Sequence, residues 1–513
     1  MNRKTTRLTI PLGILFCCAA FASQGQAADF YVDPDYAGGT RNGTTANPWQ
    51  SLADTATNNP WSAINGALAS GAVTVYFSAR EAESDTNEIS YVGIAISRTD
   101  SSSNRLILDG MSRYNTSDSN PGWAAYGGSS KFEVQADYPI NSYTIQIDNN
   151  YVNQNYITLR GFKAVAGTGG VGGQALAYWG GNHVVIENNE LTHHPAAQHG
   201  ATLQWGYAYP EGYPSRLGNG GNTDITIRNN LIHDTFGECI YIGGSANNGL
   251  PAHSNVIIEN NTTFHCGIRG GEGNCIDVKD ELTKVTIRNN FCHDNYPAGA
   301  NADGIVAMSQ VNIENNVVYN AQNNGISLGT YWGMGFAGSR IAGNIIFNSA
   351  GDGIYFSADP GKPVSDTTIS GNTVYQNAGN GLTVGSNGDN ITGLTVKNNL
   401  SVANIQQGIG GWGQSTYTIF NNDFYGNNPD YGSPFSADPA IAAQNISINP
   451  RFANTGNPPG PDALFFTLDD GFVPQESRVC RGGEGGTLLG ALPCSTTPAD
   501  ATPPASPKRL RVN

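Results

Sequence analysis

Residues 270–281 read GGEGNCIDVKDE, which sets Glu272, Asn274, Asp277 and Lys279 two or three positions apart. If Ile276 and Val278 face inward along a strand, Asp277 and Lys279 face outward together. Glu272 and Asn274 precede them across a turn, and neighbouring segments add Glu238 and Asp303 near the Asn274 position. Hard oxygen donors gathered in this way suit Ca²⁺. A lysine beside a cation or in a dry groove loses its proton near neutral pH, so Lys279 is a candidate Brønsted base. Arg269, Tyr241 and His265 are near enough in sequence to serve as proton donors. The plain alternative is a solvated Asp–Lys pair on a sheet surface, which does little.

The element that must hold these residues is a repeat. VVIENNEL, ITIRNNLI, VIIENNTT, VTIRNNFC, VNIENNVV, RIAGNIIF, TTISGNTV, LTVKNNLS and YTIFNNDF bring their last Asn to 189, 230, 261, 290, 316, 344, 372, 399 and 422. Each phrase alternates apolar and polar residues, as a half-buried strand does. A second short strand follows, as in ECIYIG, NCIDVK, DGIVAM, NGISLG, DGIYFS and NGLTVG. No amphipathic helix fits between them. Short strands at a period of 20 to 50 residues mean a solenoid, so the fold class is all-β, a single-stranded right-handed parallel β-helix. The repeat Asn should stack in one column and hydrogen-bond up it.

The expected organisation is a signal peptide over 1–28, an N-terminal cap region over 29–90 and the β-helix over 91–430. An irregular closing segment follows over 431–494, and a disordered tail over 495–513. A short helix is expected over 59–70. The coils before 290 are the longest, at 41, 31 and 29 residues, and their excess must leave as loops. All eight histidines lie between 183 and 293 in those coils, with Trp179, Trp205, Tyr207, Tyr209 and Tyr213. Function is therefore expected there.

The site phrase also resembles a known group. GEGNCIDVK is similar to the GExExxxxK segment of polysaccharide lyase family 6, the alginate lyase and chondroitinase B type. GECIYIGGS is similar to that family's GExIRIGxS. The resemblance implies Ca²⁺ held by Glu272, with Glu238 matching a further acid and Lys279 matching the base. Asn274 stands where the family has a second acid, and Tyr241 replaces an arginine. The family's catalytic arginine would fall near Met308. NADGIVA, at 301–307, is similar to a calcium segment of family 9 pectate lyases, although the DDGWD that should follow is NNGIS here. The implied reaction is β-elimination from a uronic acid.

Composition limits the partners. The net charge of −15 excludes attraction to nucleic acid by the overall field, and an acidic polysaccharide would need a bridging cation. Arg3, Lys4 and Arg7, an apolar run from Leu8 to Phe21 and small residues to Ala28 match a secretory signal. Secretion or a periplasmic location follows, with no membrane span and a monomeric chain. Six cysteines remain after the signal: Cys480 with Cys494 is the expected bridge, and Cys239 with Cys275 a second candidate. A glycoside hydrolase, a uronan C5-epimerase and a non-catalytic binding solenoid are the alternatives, and alginate, pectate, a glycosaminoglycan or an exopolysaccharide remain open as substrates.

Overall fold

Val256 and Ile258 of the strand Ser254–Glu259 are fully buried, and Asn255, Ile257 and Glu259 alternate with them on the outward face. Burying each such side chain contributes about 1.5–3 kcal/mol. The chain must then turn sharply. Asn260 takes a left-handed backbone, φ 55°, and Asn188, Asn229, Asn289, Asn315, Asn398 and Asn421 do the same at their equivalent positions. Gly343 and Gly371 replace Asn there, also with positive φ. Only Gly and short polar side chains enter that region cheaply. A second strand follows (Thr262–Phe264), then a turn, then a third (Ile276–Val278), after which Thr283–Arg288 opens the next coil in register.

The computed structural model describes residues 27–494 other than 35, 54–58, 79–93, 116–121, 126–130, 136–143, 148–153, 167–172, 179, 195–201, 206–220, 244–252, 269–271, 280–281, 297–301, 331–334, 386–389 and 412–415. It also describes the backbone of 510 and 511. Stacked coils make three long sheets of 14, 11 and 11 strands among these residues. One core runs the length of the stack. Among the described residues, no helix is long and apolar enough to cross a membrane.

The Asn column forms as expected. Asn261 Nδ2 donates to Asn290 Oδ1 (3.0 Å), and Asn290 Nδ2 donates to Asn316 Oδ1 (3.0 Å). The same oxygens accept the backbone N–H groups of the coil before them. The column continues to Asn445, beyond the last repeat phrase. On the outer face of the same sheet, Asp109, Arg160, Glu187, Arg228, Glu259, Arg288 and Glu314 alternate in sign up one column.

The N-terminal boundary differs from the expected one. Ala28–Val32 and Val73–Ser78 are already the first strands of the first sheet, so the stack begins well before residue 91. Between them lies the helix Pro60–Leu68, with Asn59 capping Trp61 N and Trp61, Ile64 and Leu68 buried. At the other end, Phe465 and Phe472 fold back onto Phe291 and Phe347 of the second sheet. Within the expected tail, Leu510–Arg511 pairs antiparallel with Leu464–Phe465. The bridges are Cys480–Cys494 and Cys239–Cys266, not Cys239–Cys275. Cys239 and Cys275 occupy equivalent places in consecutive coils and point alike, whereas Cys266 sits across the turn with its Cα 5.5 Å from that of Cys239.

Candidate functional site

The third sheet pairs Ile240–Ile242 with Ile276–Val278 so that Tyr241 lies beside Asp277. Asp277 in turn lies beside Val306 of Ile305–Ala307. The flanking Ile240, Ile242, Ile276 and Val278 are fully buried in the core, which turns Tyr241 and Asp277 to the outer face. Asp277 is nonetheless 0% exposed, because its own neighbours roof it. Lys279 Nζ donates to Asp277 Oδ2 at 2.6 Å, and Asn274 Nδ2 donates to the same oxygen at 3.1 Å. Asp277 Oδ1 is buried and has no hydrogen-bond partner among the described residues. A buried carboxylate oxygen without a partner costs free energy unless something positive meets it.

Two more acids converge on this point. Glu238, Glu272 and Asp277 each bring a carboxylate oxygen within 4.8 Å of the others. Glu238 reaches solvent in part, yet protein surrounds its carboxyl; burial, then the Asp277 charge, push it up to about 8. Burial also raises Asp277, against the opposing pull of Lys279, and Glu272 adds to the rise. For Lys279, burial works to lower the pKa, but Asp277, Glu272 and Glu238 outweigh it and hold the ammonium above the usual lysine range. Three acids sharing one site want a proton or a cation between them. The donor set is all oxygen, it includes an orphaned buried oxygen, and it leaves coordination positions open. These residues therefore fit a hard divalent cation such as Ca²⁺.

Other expected site residues divide. Tyr241 belongs here, with Lys279 Nζ 5.2 Å from its ring centroid. Asn274 and Asp303, expected as ligands, are instead rungs of a second ladder. Asn274 Oδ1 accepts Asp303 N–H (2.9 Å), and Asp303 Oδ1 accepts Asn324 N–H (2.8 Å). Asn324 Oδ1 then accepts Asp352 N–H (2.9 Å), and Asp352 Oδ1 accepts Asn380 N–H (2.7 Å). Their oxygens satisfy backbone donors of the next coil, so neither joins the carboxylate group. In the sequence this ladder is the Asn or Asp that opens NCIDVK, DGIVAM, NGISLG, DGIYFS and NGLTVG, a pattern whose structural role the sequence reading did not assign.

His265 precedes Glu272 and Asn274 in the sequence, but its Nδ1 bonds Asp234 Oδ1 at 2.8 Å. Arg269 lies outside the described residues, as do Trp179, Tyr207, Tyr209 and Tyr213. The other described histidines do not assemble with the carboxylates. His233 and His293 stack on either face of Phe264 on the second sheet. His193 and His253 are buried, the first bonded to Gly173 O and the second accepting Asn222 N–H. Their crowding in sequence reflects packing within these coils.

A family model described as "Right handed beta helix region" matches residues 217–390 and, overlapping, 334–428. The fold is accordingly a right-handed parallel β-helix. No curated protein matches this chain. Similar solved structures include an alginate lyase from Paenibacillus sp. str. FPU-7, 15% identical, covering 64% of this chain and 94% of that one, TM-score 0.40. Pectate lyase Pel9A is 12% identical over 92% of this chain and 98% of its own, TM-score 0.42. The A-module of mannuronan C-5 epimerase AlgE6 from Azotobacter vinelandii is 13% identical over 76% and 94%, TM-score 0.36. These likenesses concern the fold.

Proposed function

We propose that this chain is an exported polysaccharide lyase that cleaves a uronic-acid polymer by calcium-assisted β-elimination, with Lys279 as the base. The observation that carries the reading is the buried, partnerless Oδ1 of Asp277 at the meeting point of three carboxylates, with Lys279 on the other oxygen of the same group. Glu238, Glu272 and Asp277 would hold the cation. Bound there, it would supply positive charge that offsets the acids and draws electron density from a uronate carboxylate, acidifying the hydrogen α to it.

The residues of the chain do the rest. Asp277 positions Lys279 through its Oδ2, and Asn274 holds that oxygen from the other side. Relieved of the acids' charge, Lys279 takes the C5 proton at Nζ, and the C4–O bond breaks as the C4–C5 double bond forms. Tyr241, with its ring centroid 5.2 Å from Lys279 Nζ, would return a proton to the leaving oxygen through its hydroxyl. A hydrolase needs two carboxyls placed on opposite sides of a bond, whereas these three converge on one point, which favours the lyase over that alternative.

The test is a panel of uronic-acid polymers assayed by ultraviolet absorbance of unsaturated ends, with calcium and with excess chelator. The reading expects absorbance that chelator abolishes. Reducing ends without unsaturation would mean a hydrolase, C5 hydrogen exchange without cleavage an epimerase, and binding without turnover a carbohydrate-binding solenoid.

A further inference from the structure

Glu272 lies between Cys266 and Cys275 in the sequence. On its N-terminal side, Cys266 is bonded to Cys239, the residue after Glu238. One covalent link therefore ties the segment that positions Glu238 to the segment that brings Glu272 across. On its C-terminal side, Cys275 is a free, buried thiol directly after Asn274 and two residues before Asp277. Cys292, the other free thiol, is buried on the strand Phe291–His293 of the next coil. The two sulfurs meet around one residue, Thr263, which pairs in register with Cys292: Thr263 Oγ1 donates to Cys292 Sγ at 3.3 Å, and Cys275 Sγ donates to Thr263 O at 3.9 Å.

We propose that Cys275 and Cys292 form a second disulfide, which staples the chain after Glu272 as Cys239–Cys266 staples the chain before it. The chemistry is thiol–disulfide exchange with a disulfide oxidant of the kind that an oxidising compartment supplies. One thiolate attacks a sulfur of the oxidant and expels one thiolate. The second cysteine then displaces the other half, so two thiols become one intramolecular disulfide while the oxidant is reduced to two thiols carrying the released protons. Both cysteines are closed off from solvent, so the exchange belongs to folding or to transient opening of the coil. The added bond closes a loop of modest length and ties the segment that carries Asn274 and Asp277 to the next coil, so less freedom is lost when a cation is held.

The experiment refolds the full chain in oxidised and reduced glutathione, alkylates it under denaturing conditions and maps its peptides by mass spectrometry. A Cys275–Cys292 peptide beside Cys239–Cys266 is expected, and it is absent from Cys292→Ser. Recovery of Cys275 and Cys292 both alkylated, or a Cys239–Cys275 peptide instead, overturns the proposal. The consequence for the cation site rests on the proposed function and is read separately, by calcium titration of the two forms. The doubly bridged form should bind calcium several-fold more tightly than Cys292→Ser. Equal affinity would remove the stapling role while the mapped bond stood, and absence of calcium binding in both forms would instead tell against the proposed function.

Discussion

From Ile305 to Gly411 the third sheet carries Val306, Ser327, Tyr355, Thr383 and Gly410 in one outward column. The same column holds Asp277 and Tyr241 in the two preceding strands. The backbone is alike in both stretches. In the later coils, each acid beside the column has employment: Asp303 and Asp352 accept N–H groups from Asn324 and Asn380. In the earlier coils, acids crowd around Asp277 and one oxygen has none. A repeating scaffold thus supplies identical positions, and what sets the earlier coils apart is that their carboxylates outnumber the donors that could satisfy them.

Replacing Lys279, the proposed base, tests that contrast most severely. Lys279→Ala should lower elimination by about 10³-fold, on the scale of general-base catalysis, with circular dichroism unchanged. Lys279→Arg should not restore it, since guanidinium stays protonated. Activity close to wild type would make the site coils no different from the later ones.

The regular region should fail by stability alone. Asn316 Oδ1 accepts from both Asn290 N (2.9 Å) and Asn290 Nδ2 (3.0 Å), while its own Nδ2 donates to Asn344 and to Ile287 O. Asn316→Ala orphans several buried groups and should cost about 3 kcal/mol in denaturant unfolding, leaving the calcium dependence of turnover unchanged.

Two pH slopes of opposite sign arise within the earlier coils, one from packing and one from the carboxylate group. Burial pushes His253 down to about 4, and in an unfolded chain it titrates near 6.5. Its contribution is present above 6.5 and lost as pH falls towards 4, about 3 kcal/mol in all; His253→Gln should flatten that slope. Glu238 runs the other way. Its folded value of about 8 lies above the ordinary 4.5, so the stability it confers is present at low pH and lost as pH rises from 4.5 to 8. Melting curves in chelator should show that loss, and saturating calcium should remove it.

Smaller effects distinguish ligands from ladder rungs. Asp277→Asn should weaken calcium binding at least tenfold, about 1.4 kcal/mol. Asp303→Asn keeps the oxygen that accepts Asn324 N–H and should change calcium affinity by less than twofold, as measured by calorimetry. A large effect there would return Asp303 to the ligand set.

Much of this molecule is local and periodic, and was legible for that reason. Alternation gave the strands, the recurring Asn gave the stacked column, and the spacing gave the solenoid. Glu259 and Arg288 alternate in sign within otherwise identical phrases, and they meet because in-register coils place equal positions side by side. Asp277 and Lys279, two residues apart on one strand, were equally readable as a pair. The structure decided what sequence spacing could not. Asn274 and Asp303 turn their oxygens to the next coil's N–H groups, and Cys239 bonds Cys266 across a turn and not Cys275 in its own column. The histidines scatter over separate sheets. Each of these depends on which way a side chain faces once the turns are closed, and turn geometry is set by packing between coils.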